Sequence, residues 1–501
     1  MTKGTLVVNA SYTRGEVSRR IFGSFAEHMG RVIYSGIYEP GHPTADENGC
    51  RGDVLAAVRE MGVSCMRYPG GNFVSNYHWQ DGVGPVQQRP RRLDLAWRSV
   101  ETNEFGTNEF MRWAARAGVE PMLTVNLGTR GLEDAVDYLE YVNFPSGTHY
   151  SDLRRAHGIE KPYGVKLWCL GNEMDGNWQI GHKTMDEYGR LAAETGKAMK
   201  ALDPGIELVA CGSAKSDMPT YPNWDLRVLE HVYGIADYLS LHQYYGGQQQ
   251  GTAAFLAQSL DFENYIATIR SAIAVTKALK RSDKDMFISV DEWGVWAAPP
   301  ESVTREVDQR PWQVAPAISE QIYTMEDALL FASMLMTMVR NTDIVKIGCQ
   351  SLITNISSCI MTARGGEMWK QTIYYPFQML ARYARGAVLS IAGDGECYDT
   401  PACGRVPMVD ALAVWDRQRS EIAVFCVNRL DNDSAALSLR MEGFAPTEVA
   451  EFTTLTGGAK QTNERDHGAV APRVNDGAKL RENLLTAALP PLSFNMIRIK
   501  I

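Results

Sequence analysis

Along most of the chain, short apolar runs alternate with stretches whose apolar residues recur every three to four positions. The strand-like runs lie at residues 21–27, 64–67, 120–126, 166–173, 207–213, 238–244, 286–292 and 344–350. Between them the period is helical. Phe110, Trp113, Ala114 and Ala117 form one stripe, and Met185, Tyr188, Leu191, Ala192, Met199 and Leu202 form another that stops against Asp203-Pro204-Gly205. Eight strand–helix units over residues 21–385 predict a (β/α)8 TIM barrel. A doubly wound open sheet shares the alternation, but the count of eight favours closure, as does the lack of a Gly-x-Gly-x-x-Gly turn after the first strand.

From residue 386 the texture changes. Short strand-like runs at 408–415, 421–428, 435–439, 447–453 and 494–499, separated by Gly, Asn and Asp, predict an all-β, jelly-roll-like sandwich over residues 386–501. Residues 1–20 hold a lone strand with no helix to tie it to the barrel, so it is expected to join that sandwich. Two connections are unusually long: residues 70–100, carrying Arg89, Arg91, Arg92 and Trp97, and residues 294–322, rich in proline. Long loops after barrel strands commonly form a pocket rim or a subunit contact.

Composition adds exclusions. A chain of 501 residues exceeds one ordinary core, and 45% hydrophobic with 22% charged residues is ordinary globular composition. The net charge of −9, without any long Lys or Arg run, gives no reason to bind a phosphate backbone, so no nucleic-acid partner is expected. No uncharged apolar window is long enough to span a bilayer, and residues 1–10 lack the apolar core of a secretion signal. The nine cysteines include no Cys-x-x-Cys pair, which fits free thiols in a reducing cytoplasm. The expected location is therefore cytoplasmic.

In such barrels the chemistry gathers where the strands end. The polar residues there are Glu27, Arg67, Asn72, Asn126, Asn172, Glu173, His242, Tyr244, Glu292 and Gln350. Alone, each has a bland structural reading; their convergence at one barrel mouth is what favours a site. Glu173 and Glu292, at the ends of strands four and seven, match the needs of glycosidic bond cleavage: one protonated carboxyl for the leaving oxygen and one ionised carboxylate for the anomeric carbon. A separation of about 5 to 5.5 Å would mean retention through a covalent intermediate. The charge of Glu292 is expected to keep Glu173 protonated, Asn172 to bond the sugar hydroxyl beside the anomeric carbon, and Tyr244 to orient Glu292. Trp97, Trp178, Trp293 and Trp296 offer faces for a sugar ring, although core packing is the commoner use of such tryptophans. Glu27, Glu173, His242 and Glu292 could also ligate a divalent cation, but no His-x-His or His-Glu-x-x-His spacing supports it, and neither a metal nor a cofactor is expected.

Four motifs in order, Gly36-Ile-Tyr-Glu-Pro40, Arg67-Tyr-Pro-Gly-Gly-Asn72-Phe, Gly171-Asn-Glu-Met-Asp-Gly176 with Trp178-Gln179, and Asp291-Glu-Trp293, resemble the family 51 glycoside hydrolases, chiefly α-L-arabinofuranosidases. The likeness runs along essentially the whole chain. It implies a retaining, exo-acting enzyme with Glu173 as acid/base and Glu292 as nucleophile. It further implies a furanose pocket of Glu27, Arg67, Asn72, Asn172, Tyr244 and Gln350 with His242 near the nucleophile, an arabinose-containing oligosaccharide substrate, and a homo-oligomer, by resemblance a hexamer. The chain departs from the family's pattern at Gly294, where relatives commonly carry Asn, and at Asn177, where they commonly carry Pro. Alternatives are a β-xylosidase or endo-glucanase on the same scaffold, or a sugar-binding protein with a dead site.

Overall fold

The computed structural model describes residues 4–298, 304–393 and 395–501; part of the expected 294–322 loop, residues 299–303, lies outside these. Eight parallel strands close into a barrel: β1 (Gly23–Phe25), β2 (Cys65–Tyr68), β3 (Glu120–Val125), β4 (Leu167–Leu170), β5 (Glu207–Cys211), β6 (Tyr238–Tyr245), β7 (Phe287–Val295) and β8 (Val345–Gln350). All eight expected runs are present. The first is shorter than its pattern because Arg19–Phe22 winds into a 3-10 turn before Gly23. Strand β4 shows why the apolar runs are nearly continuous. Its outward Trp168 meets Tyr138 of the helix Leu132–Asn143, while inward Cys169 faces the barrel interior at Asp291. The two expected helical stripes form Thr107–Ala117 and Met185–Leu202. The second begins with a Thr184–Glu187 capping box and ends before Asp203.

The N-terminal strand Leu6–Glu16 runs antiparallel to Ala387–Ala392 and parallel to Ala435–Glu442, within a ten-stranded sheet built otherwise from the C-terminal region. Alternate residues of that sheet serve two cores. Leu412, Val414, Phe425, Val427, Phe494 and Met496 join the barrel's core, whereas Ala413, Ile422, Val424, Cys426 and Ile497 join a second core with Leu437, Leu439 and Leu485. The helix Met325–Arg340 lies between barrel and sheet, buried at every position from Met325 to Val339; beyond its acidic first turn at Glu326 and Asp327 it is apolar on nearly every side, as an element covered all round must be.

At this seam Asp410 takes Arg340 at 2.6 Å and Arg429 at 3.1 Å. Burial alone would raise the Asp410 carboxyl, but the two guanidinium charges hold it below its ordinary value. The pair's stabilisation is therefore complete above the unfolded carboxyl range, near pH 4, and is lost as pH falls through the depressed folded value. Asp410→Ala leaves Arg429 buried without its carboxylate, and the expected destabilisation is about 3 kcal/mol. Calorimetry at pH 7 checks this; an unchanged melting temperature contradicts it.

Candidate active site

Strand β4 stops in a left-handed turn. Gly171 has φ +88°, a region glycine enters freely, and Glu173 itself has φ +43°, which an L-residue adopts only when its surroundings hold it there. The turn lifts Asn172 and Glu173 to the barrel mouth. Strand β7 delivers its carboxylates differently. Ser289 pairs with Ser240 and Glu292 with His242, so three steps along β7 match two along β6, and the same slip recurs against β8 between Val290 and Trp293. This extra residue is a β-bulge, and it turns both Asp291 and Glu292 inward where strict alternation would have sent them to opposite faces.

The two glutamates meet. An oxygen of Glu173, an oxygen of Glu292 and a ring nitrogen of His242 lie within 4.8 Å of one another. Their other partners differ. Glu292 accepts from the Tyr244 hydroxyl at 2.8 Å and from Arg67 Nη1 at 3.1 Å, with His242 Nδ1 at 3.6 Å. Glu173 pairs through Oε1 with His242 Nδ1 at 3.0 Å and accepts through Oε2 from the indole N–H of Trp178 at 2.7 Å. Thus His242, expected beside the nucleophile, sits closer to Glu173.

Arg67 organises the floor. Its Nε stands 3.2 Å from Asp291, its Nη2 donates to Asn172 at 2.6 Å, and Asn172 in turn donates to Asn72 at 3.3 Å. Asp291 also accepts from the Ser240 hydroxyl at 2.6 Å. Burial pushes the Glu292 carboxyl above its ordinary value, and the charge of Glu173 adds to this, while His242, Arg67 and Tyr244 oppose it by favouring the ionised form. Burial would lower His242, yet the charges of Glu292, Asp291 and Glu173 lift it above its ordinary value. Glu27 is pushed up to about 8, first by burial and then by the charge of Glu292, against N–H donation from Phe73 and the indole of Trp97.

These groups border a cavity of about 1080 Å3 lined by Glu27, Asn72, Trp97, Glu173, Trp178, Tyr244, Glu292 and Trp296. Arg67, Asn172 and His242 are buried beside it, each within bonding distance of a lining residue: Glu292, Asn72 and Glu173 respectively. Gln350 is fully buried, its amide donating to the Ser357 carbonyl at 2.8 Å. Trp293 is not a sugar platform: it packs on Phe331 in the core, because the bulge turns it outward. Asn126 closes its own turn by accepting from Gly128 and Thr129. Gly294 lies behind Tyr244, where a Cβ would meet the ring at 3.5 Å, and Asn177 is exposed in the turn before Trp178.

Sequence reasoning missed Asp291 as the anchor of Arg67; the acidic doublet was visible, the bulge was not. It also passed over Gln248–Gln250 and the rim residues Lys215 and Asp217, which line the same cavity. Their position after strands β6 and β5 was the available signal. Glu173, His242 and Glu292 are close enough to hold a cation, but Arg67, Trp178 and Tyr244 already donate to the same carboxylates, a donor set that suits a substrate carbon better than a metal.

Comparison with known proteins decides the family. Residues 57–257 match the α-L-arabinofuranosidase 1 domain, and residues 291–493 match the α-L-arabinofuranosidase C-terminal domain. An intracellular exo-α-(1→5)-L-arabinofuranosidase 1 of Bacillus subtilis is 48% identical over 100% of this chain and 99% of its own. The structure of a family 51 α-L-arabinofuranosidase from Bifidobacterium longum superposes with a TM-score of 0.94 at 41% identity, covering 99% of both chains. The chain belongs to the family 51 α-L-arabinofuranosidases. Another family member, an exo-α-(1→6)-L-arabinofuranosidase of Bifidobacterium longum, is 42% identical over 100% of this chain and 98% of its own. Family membership therefore leaves the linkage open.

Proposed function

We propose that this family 51 member is a retaining, exo-acting α-L-arabinofuranosidase acting on arabinan- or arabinoxylan-derived oligosaccharides, with Glu292 as nucleophile and Glu173 as acid/base. The observation that carries the role assignment is the unequal company of the two carboxylates. Glu292 accepts from the Arg67 guanidinium and from the Tyr244 hydroxyl, both of which favour an ionised group, whereas Glu173 takes no guanidinium among the described residues: it shares His242 and accepts from Trp178, which stands at the cavity's exposed edge. Their close approach supports retention, because inversion needs room for a water between the carboxyls, about 6.5 Å or more.

In the first step a Glu292 oxygen bonds the anomeric carbon as the bond to the leaving oxygen breaks, and that oxygen takes the Glu173 proton. In the second, water gives its proton to Glu173 and its oxygen to the same carbon, freeing Glu292. Asn172, Asn72 and Glu27 are placed to bind the furanose hydroxyls, and Trp97 to cover them. Hydrolysis of nitrophenyl α-L-arabinofuranoside, set beside the xyloside and a long polysaccharide, tests the reading. Preference for either alternative substrate contradicts it.

Glu27 gives a pH dependence. Below about pH 8 its carboxyl is neutral and can donate to a sugar oxygen; above that it becomes a second negative charge beside Glu292. KM is therefore expected to climb between pH 7 and 9, and Glu27→Gln, neutral throughout, to flatten that climb. A rise that persists in Glu27→Gln contradicts the assignment.

We further propose an intracellular location, as in the relatives named so, and a homo-oligomer, by resemblance a hexamer, which light scattering tests. No helix among the described residues is long and apolar enough to cross a membrane.

A further inference from the structure

Trp178 is the one tryptophan among the cavity residues described above that touches a reacting carboxylate, and the chain is built to bring it there. Between Glu173 and Gln179 the backbone folds back on itself, Gly176 N–H donating to the Glu173 carbonyl at 2.9 Å and Gln179 N–H to the Gly176 carbonyl at 3.0 Å. At Gly176 a Cβ would lie 2.5 Å from Cε2 of Trp178, so only glycine lets the indole lie against the turn. Gln179, the next residue, is tied down by donating to Ser75 and by accepting from Asn172. The result is an indole whose N–H reaches Glu173 Oε2 at 2.7 Å while 43% of the side chain's residue surface stays open at the cavity edge.

We infer that Trp178 is a positioning residue for Glu173 that couples the leaving sugar to proton transfer: its N–H stabilises the charge that develops on Glu173, and its open face receives the leaving group. The inference rests on the reading of Glu173 as acid/base. When the glycosidic bond breaks, its electron pair stays on the leaving oxygen, which takes the proton of Glu173. Negative charge then grows on the Glu173 carboxyl. Indole N–H can only donate, so it is fixed and aimed at that charge before the reaction begins, which is the arrangement that stabilises a transition state without reorganisation. Trp97 makes the same kind of bond to Glu27, but Glu27 does not stand among the reacting groups.

The consequence depends on the leaving group. Trp178→Phe keeps an apolar face and removes the N–H; for an arabino-disaccharide, whose leaving oxygen needs the proton, kcat/KM is expected to fall roughly tenfold. For a dinitrophenyl arabinofuranoside, whose leaving group needs none, it should not change. Trp178→Ala also loses the face and raises KM for oligosaccharides further. Trp178→His, which returns a ring N–H, should recover part of the disaccharide loss. Equal losses on both substrates, or no loss on the disaccharide, overturn the inference. If the unaltered protein hydrolyses neither arabinofuranoside, the proposed function fails instead, so the two failures are distinct.

Discussion

Replacing Glu292 by Ala abolishes turnover of nitrophenyl α-L-arabinofuranoside, with an expected loss of roughly four to six orders of magnitude in kcat, the scale seen when an enzyme's nucleophile is removed. The substitution also clears a space facing the anomeric carbon, bordered by Arg67, Tyr244 and His242. Azide can occupy it and attack from the side Glu292 used, while Glu173 still protonates the leaving oxygen. Partial rescue should therefore yield the arabinofuranosyl azide of inverted configuration. Rescue that gives the retained azide means the two glutamates have exchanged roles, and a variant with near-normal turnover removes Glu292 from the mechanism.

Replacing Glu173 by Ala should have an effect that depends on the leaving group. General acid catalysis typically contributes about 10²- to 10⁴-fold, and all of it is needed when the leaving oxygen belongs to another sugar. An arabino-disaccharide is expected to lose that full factor in kcat/KM, whereas an activated dinitrophenyl glycoside loses little at the first step and is held up at the second for want of a base. Added azide should speed the second step and give the retained azide. Equal losses on both substrates contradict the acid/base role. This variant is more severe than Trp178→Phe, since one removes the proton carrier and the other only a donor to it.

Much of the architecture was legible because burial imposes period. Strands covered by helices outside and side chains inside must be apolar on both faces, as β4 is, and the amphipathic stripe of Met185–Leu202 could belong only to a helix packed on one side. The meeting of Glu173 and Glu292, the proposed catalytic pair, was legible for a related reason: a carboxylate at the carboxyl end of a buried strand has few places to go except the barrel mouth. What stayed hidden depends on partners distant in sequence. The bulge at Asp291–Glu292 changes which way Asp291 and Trp293 point, and nothing in a single strand's pattern announces it. Gln350 is at a strand end like the others, yet the Ser357 carbonyl satisfies its amide from the following loop. The direction of His242 was equally out of reach, since it is set by three carboxylates drawn from two other strand ends.

In the proposed mechanism Glu292 bonds the anomeric carbon while Glu173 manages the proton. The most direct measurement combines the Glu173→Ala variant with dinitrophenyl α-L-arabinofuranoside, which can arabinosylate the enzyme but, lacking a base, releases the sugar slowly. Mass spectrometry of the quenched and digested protein should find one anhydropentose attached to the peptide that contains Glu292. An adduct on any other residue, or steady turnover to inverted arabinose with no adduct, contradicts the account.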